Sequence, residues 1–125
     1  MALVNNWFSL EKDSEKNLIT ITFESSATDS EFDYYLEQYK NLYRENETIT
    51  IIFDARKINN LSLSQIFKKA ALMQSMKAIH KKQLKHFYVV ANSNYTINII
   101  KSMFSIIKPV VPYNIYNTIE EITIL

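Results

Sequence analysis

Apolar and polar residues alternate near the start of the chain as they do in half-buried strands. Short apolar runs extend from Leu3 to Leu10 and from Leu18 to Phe23, and the polar residues 11–17 separate them. The second run, Leu-Ile-Thr-Ile-Thr-Phe, has the period of two that is typical of a strand with one buried face. The two runs therefore predict a hairpin with a polar turn.

An amphipathic helix is predicted next, because apolar residues then recur at intervals of three and four. Thr28 and Glu31 have the spacing of a capping box, in which each residue's side chain binds the other's backbone amide. We expect this helix to end near Arg44. Its apolar face consists of Phe32, Tyr35, Leu36, Tyr39, Leu42 and Tyr43.

The rest of the chain alternates strands with helices. Strands rich in β-branched and aromatic residues are predicted at Ile49–Phe53, Phe87–Ala91 and Tyr113–Tyr116. One helix runs from a capping box at Ser62 to about Lys85, another runs from Asn92 to Lys108, and a last short helix opens at Thr118. The order ββαβαβαβα predicts an α/β fold, with helices packed against a single-layer mixed β-sheet, in one domain spanning residues 1–125.

The chain contains no glycine and no cysteine. The missing glycines exclude the familiar phosphate-binding loops, and turns that need positive φ must use asparagines such as Asn59, Asn60, Asn92 and Asn94. The missing cysteines exclude disulfides and thiolate chemistry, as in a reducing compartment. The start of the chain has no signal-peptide pattern, and no apolar run is long enough to span a membrane. We therefore expect a cytoplasmic protein.

Charge is divided along the chain, although the net charge is only +1. Residues 1–54 hold eleven acids and four bases, whereas residues 55–119 hold ten bases and no acid. Either an acidic helix packs beside a basic helix, or a basic face binds an acidic protein, nucleic acid or anionic lipid. We favour the first interpretation, because runs of charge are most often solvated helix faces.

No pattern in the chain predicts catalysis, a cofactor or a metal site. Asp54 ends a strand, but no acid occurs in the next 65 residues to share acid–base work with it. We expect Asp54 to bind loop amides or to pair with Arg56 or Lys57. His80 lies in a basic run that disfavours both its imidazolium form and a bound cation, and no acid near His80 or His86 completes a ligand set.

Three segments carry a resemblance to a known family: Thr50–Arg56, Phe87–Asn92 and Tyr113–Glu121. In their order and type they resemble the STAS domain, and within it the SpoIIAA-like branch of anti-sigma-factor antagonists. The resemblance covers residues 17–125. It implies a non-enzymatic regulatory module that acts through protein–protein contacts.

The resemblance also implies a phosphorylation site at the start of the helix that follows Asp54. Regulatory members of the family carry a phosphorylatable serine there, preceded by aspartate. In this sequence the aspartate position is Ser62 and the serine position is Leu63, so the motif is not matched. Ser62 and Ser64 flank the position and are the candidates for phosphorylation, although Ser62 also suits a helix cap.

The helix after Asp54 has two apolar stripes. Leu63, Ile66, Phe67, Ala70 and Met73 fall on one face, which we predict to face the core. Leu72, Met76 and Ile79 fall roughly opposite. Either this second stripe contacts a partner, or the helix kinks and rotates near Met76. The residues that we predict to bind a partner are Asn59, Asn60, Ser62, Ser64, Leu72, Met76 and Ile79.

Three functions are compatible with these patterns. The first is a non-enzymatic interaction module that binds another protein or forms a homodimer. The second is a binder or carrier of a small apolar or anionic ligand, such as a lipid, at the carboxyl ends of the strands. The third is salt-sensitive binding of nucleic acid through the basic residues 55–119, which ranks last because no nucleic-acid-binding motif is present.

Overall fold

A computed structural model gives the fold of the protein and describes residues 2–4, 7–44 and 47–122, with only the backbone for residues 2–4. Six strands form one sheet, and their order in the sheet is their order in the chain. The strands are β1 (Ala2–Val4), β2 (Phe8–Asp13), β3 (Leu18–Phe23), β4 (Ile49–Asp54), β5 (Leu84–Val90) and β6 (Tyr113–Tyr116). The helices are α1 (Asp29–Lys40), α2 (Leu63–Ser75), α3 (Lys77–Gln83), α4 (Asn94–Ile106) and the short 3-10 helix Ile119–Glu121.

The sheet is mixed. Strands β1, β2 and β3 pair antiparallel, and β3, β4, β5 and β6 pair parallel. Each parallel connection moves one strand further in the same direction, and such connections are nearly always right-handed, so their helices are placed on the same face of the sheet. The α/β fold that we predicted, with helices against a mixed sheet, is confirmed.

The two faces of the sheet are covered differently. The main core joins side chains such as Ile21, Ile51 and Phe87 to residues of α1, α2 and α4. On the opposite face a small cluster forms around Ile52 and Tyr88, and the last described residues of the chain cover it. Strand β4 is therefore covered on both faces, by helices on one and by the last described residues of the chain on the other.

The helix starts follow the predicted caps. The Thr28 hydroxyl accepts a hydrogen bond from the Glu31 amide at 3.2 Å, and the Thr28 amide donates one to the Glu31 carboxylate at 2.9 Å. Ser93 caps α4 by accepting a hydrogen bond from the Thr96 amide at 3.1 Å. These interactions need only residues within one turn, and the sequence was therefore sufficient to locate them.

The prediction of a single helix from Ser62 to Lys85 was wrong. Helix α2 ends at Ser75 and α3 begins at Lys77, with Met76 between them at φ −101° and ψ 13°. Met76 is only 4% exposed, and the change of direction also buries His80. Lys77 is thereby exposed instead of facing the core. The kink near Met76 that we considered is confirmed.

The predicted core face of α2 was partly wrong. Ala70 and Met73 are buried, but Leu63 is 72% exposed and Phe67 is 59% exposed. The polar Gln65 faces inward instead. Helix α2 carries apolar residues on two sides, so periodicity alone did not determine which side meets the sheet.

The turn between β2 and β3 contains the one described residue with positive φ, Asn17, at φ 50°. We expected such backbone at Asn59, Asn60, Asn92 and Asn94, and this was wrong for all four. Asparagine does take the role that glycine plays elsewhere, as predicted, but in the hairpin turn.

Candidate functional site

Asp54 is held by its own loop. The Arg56 guanidinium donates through Nε to Oδ1 at 2.9 Å and through its terminal nitrogen to Oδ2 at 2.8 Å, and the Arg56 amide lies 3.3 Å from Oδ1. Burial would raise the pKa of the Asp54 carboxyl, but the hydrogen bonds and charge of Arg56 outweigh it and hold that pKa below its usual value. The pairing that we expected for Asp54 is confirmed.

The loop from Ala55 to Leu61 is tied to its neighbours. The Asn59 amide donates to the carbonyl of Ser25 at 2.9 Å. The buried Thr96 hydroxyl, at the start of α4, donates to the carbonyl of Ile58 at 3.1 Å. The side chains of Asn59 and Asn60 remain exposed, as partner binding would require. Their role in binding stays a prediction.

Ser62 and Ser64 differ in their surroundings. The Ser62 hydroxyl accepts from the Gln65 amide at 3.1 Å, and the Gln65 side chain accepts from the Ser62 amide at 3.3 Å, which completes the predicted capping box. The buried Gln65 amide also donates to the carbonyl of Ala27 at 3.1 Å and to Asp29 at 3.3 Å, so that it joins α2 to the start of α1. Ser64 is exposed in the first turn.

The predicted stripe of Leu72, Met76 and Ile79 does not form one surface. Met76 is buried, Leu72 is half-buried against the core, and only Ile79 is exposed, at 39%. Placing Met76 at a contact surface was wrong, because the break in the helix turns it inward.

An open apolar groove lies between α2 and α4. Its volume is about 680 Å³, and no charged residue is among the described side chains that line it. The sequence did not reveal this groove, because the spacing of Leu63 and Phe67 along α2 is that of core residues. The large side chains that are exposed there are Leu63, Phe67, Tyr95 and Ile106.

A second, inner space of about 110 Å³ lies beneath the groove, between the sheet and helices α1, α2 and α4. Aliphatic and aromatic side chains form nearly all of its wall, and none of the described residues that line it is an acid. Ile66, Ile99 and Met103 line both spaces and therefore form the wall between them.

Lys69 places its ammonium group in this inner cavity. Its Nζ donates to the Tyr35 hydroxyl at 2.7 Å and lies 3.5 Å from the centre of the Tyr39 ring and 5.1 Å from that of Phe53. Burial lowers the pKa of Lys69 to about 7. The adjacent Lys68 instead forms an exposed ion pair with Asp33 at 2.9 Å. The sequence did not distinguish Lys69, because it is one of several lysines in the segment that was predicted as a single basic helix.

Tyr39 connects this cavity to His80. Its hydroxyl lies 2.9 Å from His80 Nε2 and 2.7 Å from the Tyr43 hydroxyl. Burial, together with the charge of Lys69, lowers the pKa of His80 to about 4, so the imidazole is neutral near pH 7. Burial also raises the pKa values of Tyr39 and Tyr43. The group is a structural hydrogen-bond network of neutral rings.

Charges of opposite sign meet between α1 and α2. The pair Lys68–Asp33 joins the two helices, and Lys57 lies 3.6 Å from Glu24 in the neighbouring loops. These contacts agree with the interpretation that acidic and basic segments attract one another. In the described part of the chain no three His, Asp or Glu side chains are grouped as a metal site would require. No described helix is long and apolar enough to cross a membrane.

Comparison with known proteins identifies the fold. No protein-family model matches the sequence, and no curated protein matches it. An uncharacterized protein of the DUF3478 family from Shewanella loihica PV-4, which has a SpoIIAA-like fold, is similar over 94% of both chains, with a TM-score of 0.66 and 10% identity.

A second likeness is to SiaC, in the crystal structure of the diguanylate cyclase SiaD in complex with its activator SiaC from Pseudomonas aeruginosa. It covers 93% of this chain and 98% of the other, with a TM-score of 0.59 and 6% identity. Identities this low show the fold alone. The chain has a SpoIIAA-like fold, as its resemblance to STAS domains implied.

Proposed function

We propose that the protein is a non-enzymatic interaction module that binds a partner protein in the groove between α2 and α4. The observation that carries the proposal is the exposure of Leu63, Phe67 and Ile106 around a groove in which none of the described lining residues is charged. Contiguous apolar surface of this kind is characteristic of interaction sites. The complex of SiaC with SiaD supports the proposal, because it shows a protein of similar fold bound to a partner.

The shape of the groove favours a separate partner over a homodimer. In a two-fold dimer the same surface meets itself, and two concave surfaces do not fill each other. An amphipathic helix does fill a groove between two helices, with apolar side chains at every third or fourth position. Aromatic residues such as Phe67 and Tyr95 are frequent anchors in such contacts.

Photo-crosslinking in the native cell tests this proposal. We expect a photoreactive amino acid in place of Phe67 to give a discrete adduct with another protein. The matched control is the same replacement at Tyr34, which is exposed on α1. Identical adducts from both positions, or none from Phe67, would contradict the proposal, and an adduct of twice the protein's own mass would assign the groove to a homodimer.

We also propose Ser64, rather than Ser62, as a site of phosphorylation that regulates the module. Ser62 is engaged as the cap of α2, whereas Ser64 is exposed next to Leu63 at the groove. A phosphate on Ser64 would add negative charge beside an apolar contact and weaken it. We expect the Ser64→Glu variant to reduce the yield of the Phe67 adduct severalfold, with Ser30→Glu on α1 as the control. An unchanged yield would contradict this role.

A further inference from the structure

We infer that the inner cavity is a binding site for a small monocarboxylic acid with an apolar body, whose carboxylate pairs with the ammonium group of Lys69. The inference goes beyond the proposed function, because it assigns a small-molecule ligand to a space that a partner protein does not reach directly. The charge of Lys69, the size and lining of the cavity, and a route of access from the groove each support the inference.

The first argument is the incomplete coordination of Lys69. An ammonium group has three donors. One donates to the Tyr35 hydroxyl and another side of the group faces the Tyr39 ring, whereas no carboxylate pairs with Lys69 in the described part of the chain. A buried charge is costly unless it is paired, so a bound anion would stabilise the charged form of Lys69. A carboxylate supplies that anion and accepts the remaining hydrogen bond.

The second argument is the rest of the cavity wall. Around Lys69 the surface is aliphatic and aromatic, with Phe53, Met73 and Phe104 among its residues. A dry apolar cavity of roughly 150 Å³ is large enough to bind benzene. The volume of about 110 Å³ therefore suits a body of similar or slightly smaller size, and its lining excludes a second charge or a sugar.

The third argument is a route of access. Among the described residues, the inner cavity and the outer groove share Ile66, Ile99 and Met103 in their walls. Rotamer changes of these three side chains would open the cavity toward the groove without moving the backbone. A longer acyl chain would then continue outward between α2 and α4, so the class of ligand extends to medium-chain fatty acids.

Calorimetric titration with octanoate tests the inference, with octan-1-ol as the neutral ligand of equal length. At a pH below 7, where Lys69 carries its charge, we expect the protein to bind octanoate at least about tenfold more tightly than octan-1-ol. We expect Lys69→Met to abolish this preference and Lys68→Met to retain it. Lys68 is the matched control, because it is adjacent, exposed and equally charged.

Two results would overturn the inference: equal or absent binding of the two ligands by the unmodified protein, or an unchanged preference in Lys69→Met. Should that variant fail to fold, the ε-carbon NMR signal of Lys69 in the unmodified protein still decides, since only a bound carboxylate raises its pKa. The outcome is independent of the proposed function. Phe67→Ala removes a groove side chain that is absent from the cavity wall, so it should reduce crosslinking but leave the preference for octanoate over octan-1-ol unchanged.

Discussion

At the scale of single residues, Lys69 has the least ordinary environment. Most lysines keep the charged end in water and cover apolar surface with the stem. Lys69 does the reverse, because its ammonium lies among the rings of Tyr35, Tyr39 and Phe53. The rings compensate for part of the lost hydration through cation–π attraction. The remaining cost appears as the lowered pKa of Lys69.

This cost makes the stability of the protein depend on pH. The pKa of Lys69 is about 7 in the folded chain and 10.5 ordinarily. Between these values the unfolded chain binds a proton that the folded chain does not, so this residue makes the free energy of unfolding rise from pH 7 to pH 10.5. Below pH 7 Lys69 is charged in both the folded and the unfolded chain, and it then destabilises the folded chain to its full extent.

We therefore expect Lys69→Met to stabilise the protein below pH 7 by about 2–4 kcal/mol, with a gain that disappears toward pH 10.5. Urea denaturation of both proteins over this range measures it. Lys68→Met serves as the control and should change stability by less than about 1 kcal/mol, because its ion pair is exposed. A Lys69→Met variant that is less stable at every pH would show that the rings hold the charge without cost.

At the scale of elements, the orientation of α2 decides which of its side chains line the groove and which line the cavity. Its inward side carries the polar Gln65 and Lys69 beside the apolar Ala70 and Met73, and its outward side carries Leu63 and Phe67. Two large apolar residues outside and two polar residues inside depart from the pattern of an amphipathic surface helix. These departures provide both the groove and the charged group in the cavity.

Paired substitutions test this orientation. We expect Met76→Ala to lower the free energy of unfolding by about 2–4 kcal/mol, because it removes a buried side chain from the core. We expect Phe67→Ala to change it by less than about 0.5 kcal/mol, since the ring is largely exposed. Thermal or urea unfolding of the two variants compares them directly. Equal losses would mean that Phe67 packs in the core after all.

Local signals predicted the starts of the helices well and the orientation of α2 poorly. The caps at Thr28 and Ser62 depend on hydrogen bonds within one turn, so the residue types were sufficient. The inward side of α2 depends instead on what faces it, namely the rings of Tyr35 and Tyr39 from α1. No periodicity within α2 contains that information.

At the scale of the whole molecule, the strand order explains where the cavity lies. For the second candidate function we placed the ligand at the carboxyl ends of the strands, where open α/β sheets bind ligands when the strand order reverses. Here the order never reverses, so no crevice of that kind forms. The helices instead lie side by side on one face, and the cavity forms between them and the sheet.

The mixed sheet with helices packed against it could be predicted, and it is confirmed, because most elements have their own apolar pattern. The observed order differs from the predicted one in the additional strand β1 and in the division of the second helix into α2 and α3. The cavity could not be predicted, because its wall is assembled from residues as distant as Trp7 and Phe104. Only the tertiary arrangement brings these side chains together around Lys69. The sequence contains these residues, but no local pattern in it shows that they come together.

The wall formed by Ile66, Ile99 and Met103 has a consequence for regulation. A molecule in the cavity and a protein in the groove would press on the same three side chains from opposite sides. Occupancy of one space then changes the free energy of filling the other, and thermodynamic linkage requires the effect to be equal in both directions. With that wall as the shared element, the domain would be a switch whose affinity for protein is set by a metabolite.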